Sequence, residues 1–427
     1  MPVFESQRCT YCGGCVSLCP VGALQLAETR LHLDTTLCTE CLLCVRGCPT
    51  GALAAEQTAS SAQQMGPLDL IVVGAGPAGS TAARVASEAG LKVIVVEKRQ
   101  EIGSPVRCAE GINEEMLRGF LQPEEPWIAA RIRRSQITTV DTGETRTLEG
   151  EDTGYVLERR VFDRALAEKS VAAGASVMLK TTAQSVMVED GAVQGITASD
   201  GRSQFEILAK MVLAADGVES RLGEGVGLDC LLDPADCLVC AQYMLAGIDL
   251  DPECCCYYLG EELAPGGYAW VFPKGPGKAN VGLGVQADCA RATALEYLVR
   301  FIEQHLWLEQ GSPVSLITGN VPVGIPSYPI IRDGFMLVGD AARQADPLTG
   351  GGLANAMVAG ELAGRVAAQA VEQHDVSRSI LGNYQRLWQE GRGRQMERNY
   401  RLKSRFSPAE RCSPSFVRAF AVAAVGK

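Results

Sequence analysis

Two copies of one cysteine pattern fill the first fifty residues: Cys9-x2-Cys12-x2-Cys15-x3-Cys19-Pro20 and Cys38-x2-Cys41-x2-Cys44-x3-Cys48-Pro49. Each copy ends alike, Cys-Pro-Val-Gly-Ala-Leu at 19–24 and Cys-Pro-Thr-Gly-Ala-Leu at 48–53, so the segment reads as an internal repeat with a pseudo-symmetric small fold. A module of about sixty residues buries too little apolar surface to fold without a staple. Disulfide scaffolds are short and secreted, whereas this chain has 427 residues and opens on the polar MPVFESQRC instead of a basic and then apolar leader. It is expected in the cytoplasm with its 17 cysteines reduced, which points to metal ligation or redox chemistry. Zinc fits less well, because four-cysteine zinc sites lack the third close cysteine and the Cys-Pro step.

The repeat resembles the bacterial two-cluster ferredoxins. In that family the fourth cysteine of each run ligates the other cluster. The resemblance therefore implies one [4Fe-4S] cluster on Cys9, Cys12, Cys15 and Cys48, and a second on Cys38, Cys41, Cys44 and Cys19.

The length implies two or three modules. The stretch AAEQTASSAQQMGP at 54–67 is small, polar and without periodicity, which places a ferredoxin domain at 1–57 and a linker at 58–67. An apolar run at 70–73 then leads into Gly74-x-Gly76-x-x-Gly79, the helical STAARVASEAG and a second apolar run at 93–96 ending at Glu97. That is a dinucleotide fingerprint in strand–turn–helix–strand context, with Glu97 spaced to meet the adenosine ribose. Taken alone it does not separate FAD from NAD.

Two later segments make the distinction. Leu213-Ala-Ala-Asp216-Gly217 and Phe335-Met-Leu-Val-Gly339-Asp340, the latter followed by Asp346-Pro-Leu-Thr-Gly350-Gly351-Gly352, resemble the flavoprotein family that includes hydroxybenzoate hydroxylase. The resemblance implies FAD, with Asp340 at a strand end meeting ribitol or ribose hydroxyls. The Gly350–Gly352 turn would open a helix to about Glu372, its amide end beside the isoalloxazine. Arg159 matches an arginine that family uses near the cofactor; a solvated arginine at a helix start is the alternative.

Residues 235–285 read as alternating strands around Pro265-Gly-Gly-Tyr268-Ala-Trp270-Val-Phe272-Pro273. On a strand Tyr268, Trp270 and Phe272 share one face, as core or as a binding wall. Pro-x-x-Tyr-x-Trp-x-Phe-Pro is a hallmark of the geranylgeranyl reductase family, and the segment around Cys108, Gly103-Ser-Pro-Val-Arg-Cys-Ala-Glu-Gly111, looks like its cysteine loop. The resemblance covers most of 68–375. It implies saturation of isoprenoid double bonds by hydride from reduced FAD, with the three aromatic residues lining an apolar tunnel and Cys108 or Tyr268 as proton donor. Cys108 as a small buried loop residue is the alternative.

The expected architecture is therefore α/β: the ferredoxin module, a Rossmann-like FAD domain at 68–230 and 320–372, an antiparallel substrate sheet at 231–319 and a helical segment at 373–427. No second dinucleotide fingerprint occurs, so the two clusters are expected to feed FAD from an external ferredoxin-like donor. The expected substrate is a prenylated lipid, a prenyl diphosphate or a quinone, and no nucleic-acid partner is expected. Reduction of a quinone headgroup, and an oxygen-using monooxygenase or halogenase, are rival chemistries on the same scaffold. Cys237, Cys240, Cys254, Cys255 and Cys256 could suggest a third metal site, but consecutive strand residues alternate faces and small buried residues fit better. The segment 378–427 carries eleven Lys or Arg against three Glu, whereas the whole chain is −11. Such a tail suits contact with a membrane surface or an acidic donor, or equally a solvated helix face packed on the flavin domain.

Overall fold

The computed structural model describes residues 1–55, 68–201 and 203–425; the linker expected at 58–67 lies outside them. In the N-terminal module the repeat becomes visible as structure. Short helices Gly14–Leu18 and Leu43–Arg46 follow the cysteine loops, Val3–Phe4 pairs with Leu53–Ala54, and Leu24–Ala27 pairs with Arg30–Leu33. Its buried apolar residues are few, Ala23, Leu24, Cys44, Ala52 and Leu53 among those described, with Cys15, Cys19 and Cys48 packed against this small core. So small an apolar core leaves the module dependent on what its cysteines bind.

The second body is built on a sheet whose central strands are parallel, in the order Ser176–Met178, Val93–Val96, Leu68–Val73, Gln204–Ala214, with Phe335–Leu337 on the far side of the last. Leu70, Ile71, Val72, Ile94 and Val95 are buried, the pattern of strands covered on both faces. Helices Pro77–Glu88 and Leu353–Glu372 cover it, and the second ends at the residue the sequence suggested. Gln204–Ala214 runs on to pair antiparallel with Ala192–Ser199, which pairs with Thr182–Glu189.

The second large sheet differs from expectation in two respects. Its order is Ser312–Pro322, Cys237–Ala246, Lys278–Gln286, Tyr268–Pro273, Cys254–Leu259, Ile128–Thr139, Glu144–Leu157, Gly111–Asn113. Three of these strands come from 111–157, a stretch the sequence had grouped with the FAD domain. They join because Cys254–Leu259 pairs with Ile128–Thr139, and that pairing is parallel, so the sheet is mixed and not wholly antiparallel. A pairing across more than a hundred residues leaves no mark on local periodicity.

The basic C-terminal segment is helical and packed. Leu381, Tyr384 and Trp388 complete the core of the parallel sheet, while Phe416, Val417 and Phe420 sit with Ile137, Leu259 and Tyr268. Two of its cations are buried cross-links: the Lys403 ammonium donates to the Val323 carbonyl at 2.9 Å, and the Arg411 guanidinium to the Gly266 carbonyl at 2.9 Å. Burial pulls the Lys403 ammonium down to about 8. Phe420 meets Tyr268 at 5.0 Å and Tyr257 at 5.7 Å between ring centres. Phe420→Ala is expected to cost about 3–5 kcal/mol, read as a lower thermal unfolding midpoint; an unchanged midpoint would show that this helix does not brace the sheet.

Candidate active site

The first strand of the parallel sheet delivers the chain to Gly74, whose φ of +100° suits glycine. A Cβ on Gly79 would stand 1.9 Å from the Gly74 carbonyl, so helix Pro77–Glu88 can approach the turn only without one. Gly76 has nothing within 4 Å of its Cβ position and opens the N-terminus of that helix, leaving room and bare amides for a pyrophosphate. Glu97 ends its strand buried, accepting from the Ala75 amide at 2.9 Å and the Arg99 amide at 2.8 Å. A carboxylate has about four acceptor positions, so capacity remains for ribose hydroxyls. Asp216 Oδ1 is buried with no hydrogen-bond partner, and burial raises its carboxyl pKa. These orphaned and half-used acceptors around an open glycine turn fit the polar half of FAD.

A cavity of about 660 Å³ continues from Gly76 past Gly339, Asp340 and Gly350–Gly352 to the second sheet. Asp340 lies in the short 3-10 turn Gly339–Ala342, three residues beyond Leu337, the last residue of strand Phe335–Leu337, and not at the strand end itself. Burial raises its carboxyl pKa, and nearby Arg159 works against that. Arg159 opens helix Arg159–Ala172 and faces the cavity. Its guanidinium is held by both Asp163 oxygens at 2.7 and 2.9 Å, and burial opposes its charge, but Asp163 and its neighbours outweigh this and raise its pKa. It is not a solvated helix-start arginine.

Tyr268, Trp270 and Phe272 all line the cavity, as alternate residues of one strand should. Tyr257 joins them, 5.2 Å from Phe272 between ring centres. The Tyr268 hydroxyl donates to the Thr349 carbonyl, tying the aromatic strand to the glycine turn, and burial raises its pKa far above the ordinary phenol value. Cys108 also lines the cavity; burial pushes its thiol up, partly offset by the Arg159 charge, so it is protonated at neutral pH. Cys240 and Cys255 line the same wall, both with thiols raised by burial, the first to about 12. Among the described residues no three His, Cys, Asp or Glu side chains are arranged to hold a single metal ion.

Sequence reasoning missed the side chains that hold the cysteine loop. Each of its three central residues is gripped from the second sheet. Gln242 donates to the Cys108 carbonyl at 3.2 Å and accepts from Trp270 Nε1 at 2.8 Å. Asn280 donates to the Ala109 carbonyl at 3.3 Å and to the Glu110 carboxylate at 2.7 Å. Lys274 donates to Glu110 at 2.7 Å and to the Leu157 carbonyl at 2.6 Å, and lies 3.0 Å from Glu158. The other Glu110 oxygen accepts from the Arg159 amide at 2.8 Å, capping the helix that carries Arg159. Lys274 directly follows the aromatic phrase, which was the one available signal; its partner lies 164 residues away.

In the N-terminal module, Cys9, Cys12, Cys15 and Cys48 line one small cavity and Cys19, Cys38, Cys41 and Cys44 line another. The two Cys-Pro cysteines are prepared alike: the Ala23 amide donates to Cys19 Sγ at 3.2 Å and the Ala52 amide to Cys48 Sγ at 3.1 Å. Both thiols are pulled below their ordinary values, Cys19 chiefly by its backbone amides and Cys48 by such amides against the effect of burial. Four thiols around each small cavity, with amides aimed at the Cys-Pro sulfurs, fit iron–sulfur clusters.

The buried grip on the loop has a measurable consequence. Lys274→Met leaves the Glu110 carboxylate without its cation and is expected to cost about 3–5 kcal/mol; adding Glu110→Gln should restore part of this. Urea unfolding of the single and double variants checks it, and a double variant no better than the single one would show that the pair is not coupled.

Comparison with known proteins agrees with this architecture. Residues 8–52 match the 4Fe-4S dicluster domain, 69–219 the FAD dependent oxidoreductase family and 236–321 the geranylgeranyl reductase catalytic domain. The chain is 45% identical over 347 residues to a digeranylgeranylglycerophospholipid reductase of Methanosarcina acetivorans, covering 79% of this chain and 84% of that protein. It is 47% identical over 342 residues to one of Methanothrix thermoacetophila, covering 79% and 87%. Among solved structures, a geranylgeranyl bacteriochlorophyll reductase-like protein from Thermoplasma acidophilum superposes with a TM-score of 0.79 at 39% identity, covering 85% of this chain and 95% of that one. The flavin-dependent brominase Bmp2, in a triple mutant, superposes with a TM-score of 0.65 at 18% identity over 84% of this chain and 94% of its own, a likeness of fold alone. With its fused dicluster module, this chain belongs to the geranylgeranyl reductase family of FAD-dependent oxidoreductases.

Proposed function

We propose that this chain saturates carbon–carbon double bonds in geranylgeranyl-type chains carried on a glycerophospholipid, the substrate named for its relatives. The observation that carries the reading is one cavity joining a flavin cradle, an aromatic wall and a half-buried thiol whose pKa is raised. An isolated alkene has no carbonyl to stabilise an incoming hydride, so the site must present a proton donor to one carbon as the other is attacked. Bound FAD, once reduced, supplies the hydride. Cys108 holds the proton, and Gln242 and Asn280 fix where it stands by gripping the Cys108 and Ala109 carbonyls while Lys274 holds the Glu110 carboxylate. Tyr268, Trp270, Phe272 and Tyr257 orient the chain and exclude water, with Tyr268 locked to Thr349. Hydride and proton together add one hydrogen molecule across the bond. Gly76, Glu97, Asp216, Arg159, Asp340 and the Gly350–Gly352 turn would hold FAD, and the two cysteine sets the clusters.

No helix among the described residues is long and apolar enough to cross a membrane. In this reading the lipid chain enters from a membrane surface that the protein visits, helped by the exposed cations of the C-terminal helices.

Anaerobic incubation with dithionite and a geranylgeranylated phospholipid should raise the lipid mass by one hydrogen molecule per reduced bond. Loss of the chain-reduction product with FAD still reducible would sink this reading; mass gain confined to a quinone ring would favour headgroup reduction instead. Cys108→Ala is expected to slow the reaction on the order of 10²-fold while leaving FAD absorbance intact. Because burial raises the Cys108 thiol, the alkaline fall in kcat should lie above the ordinary thiol range near about 8.5 and be absent from the residual activity of that variant.

A further inference from the structure

We infer that the two clusters act in a fixed order, with the Cys9, Cys12, Cys15 and Cys48 site as the inner one that feeds FAD, and the Cys19, Cys38, Cys41 and Cys44 site as the outer one that meets an external one-electron donor. This rests on reading the module as an electron relay. The contacts between the module and the flavin domain gather at three consecutive residues, Gln7, Arg8 and Cys9. The Lys180 ammonium donates to the Cys9 carbonyl at 3.0 Å, and the Ser199 hydroxyl lies 3.5 Å from Gln7 Oε1. At Gly201 a Cβ would stand 2.7 Å from Gln7 Cβ and 3.0 Å from the Arg8 backbone nitrogen, so the two backbones are in direct apposition there.

Lys180 in turn is fixed at the edge of the FAD cradle. Its amide donates to the Arg99 carbonyl at 3.0 Å, and the next amide, of Thr181, donates to the Glu97 carbonyl at 3.0 Å. One short stretch of backbone thus runs from a ligand of the inner site to the carboxylate placed for the adenosine ribose. Around the outer site the surroundings differ. Leu18, Leu37 and Leu43, each adjacent in sequence to one of its ligands, are 45%, 50% and 40% exposed, whereas each site has one exposed ligand, Cys12 and Cys41.

The electron balance is simple. Two molecules of a one-electron donor, such as a reduced ferredoxin-type protein, are oxidised at the outer site. Their two electrons pass inward singly, and with two protons from water they convert FAD to its fully reduced form. Lys180 is a positioning residue in this route: it seats the inner site, and its charge favours the extra electron there.

The test uses the reconstituted full chain under anaerobic conditions, with Lys180→Gln on the flavin domain and Leu37→Glu at the exposed rim of the module. Each change makes the charge near one cluster more negative, so in an EPR-monitored redox titration each should lower the potential of one cluster signal, and the two should lower different ones. In stopped-flow mixing with a reduced two-cluster ferredoxin, Leu37→Glu should slow the concentration-dependent reduction of the module. Lys180→Gln should slow the later, concentration-independent bleaching of the flavin. Both substitutions moving the same signal, or exchanging their kinetic effects, would overturn the order while leaving the relay intact. Fewer than two reducible cluster signals in the unaltered protein would overturn the relay reading itself.

Discussion

The contact between Lys274 and Glu110 organises the site from inside the protein. Both side chains are almost wholly buried, 4% and 6% exposed, and a buried ion pair recovers its desolvation cost only when the remaining donors and acceptors are also satisfied. Here Asn280, the Leu157 carbonyl and the Arg159 amide complete the network. Those partners lie on the cysteine loop, on the strand before helix Arg159–Ala172, on that helix, and on two strands of the second sheet. Loss of one member would loosen Cys108, Arg159 and the aromatic strand together.

The cavity lies where the two large sheets meet, and its two halves are joined by few but specific bonds. The Tyr268 hydroxyl on the Thr349 carbonyl fixes the aromatic wall to the glycine turn, and the C-terminal helix closes the same region through Phe416 and Phe420. Flavin-dependent halogenases share this overall fold at low identity. What separates the chemistries is therefore the lining. In this chain it is aromatic and thiol-bearing.

The cysteines divide by surroundings. In the N-terminal module backbone amides are aimed at the sulfurs of Cys9, Cys19 and Cys48, and Cys19 and Cys48 are pulled toward the thiolate form that iron requires, whereas burial pushes Cys15 and Cys44 up. Cys108, Cys240 and Cys255 sit in a wall that raises their pKa, so they remain neutral thiols, apolar enough to face a lipid.

Much of this was legible in the sequence because it is local. The spacing of eight cysteines, the glycine turn between an apolar strand and a helix, and three aromatic residues two apart each encode a short-range geometry, and each stands in the structure where its motif implies. The parallel pairing of Cys254–Leu259 with Ile128–Thr139 was not legible, so 111–157 was grouped with the FAD domain although its strands join the second sheet. Nor were the grip of Lys274 on Glu110 and the burial of Lys403 and Arg411 within a tail that reads as a basic surface. Those depend on which residues distant in sequence become neighbours, and on how far each is withdrawn from water. The chain's motifs determine which chemical groups are present, while hydrogen bonding and desolvation in the folded state decide what each of them can do.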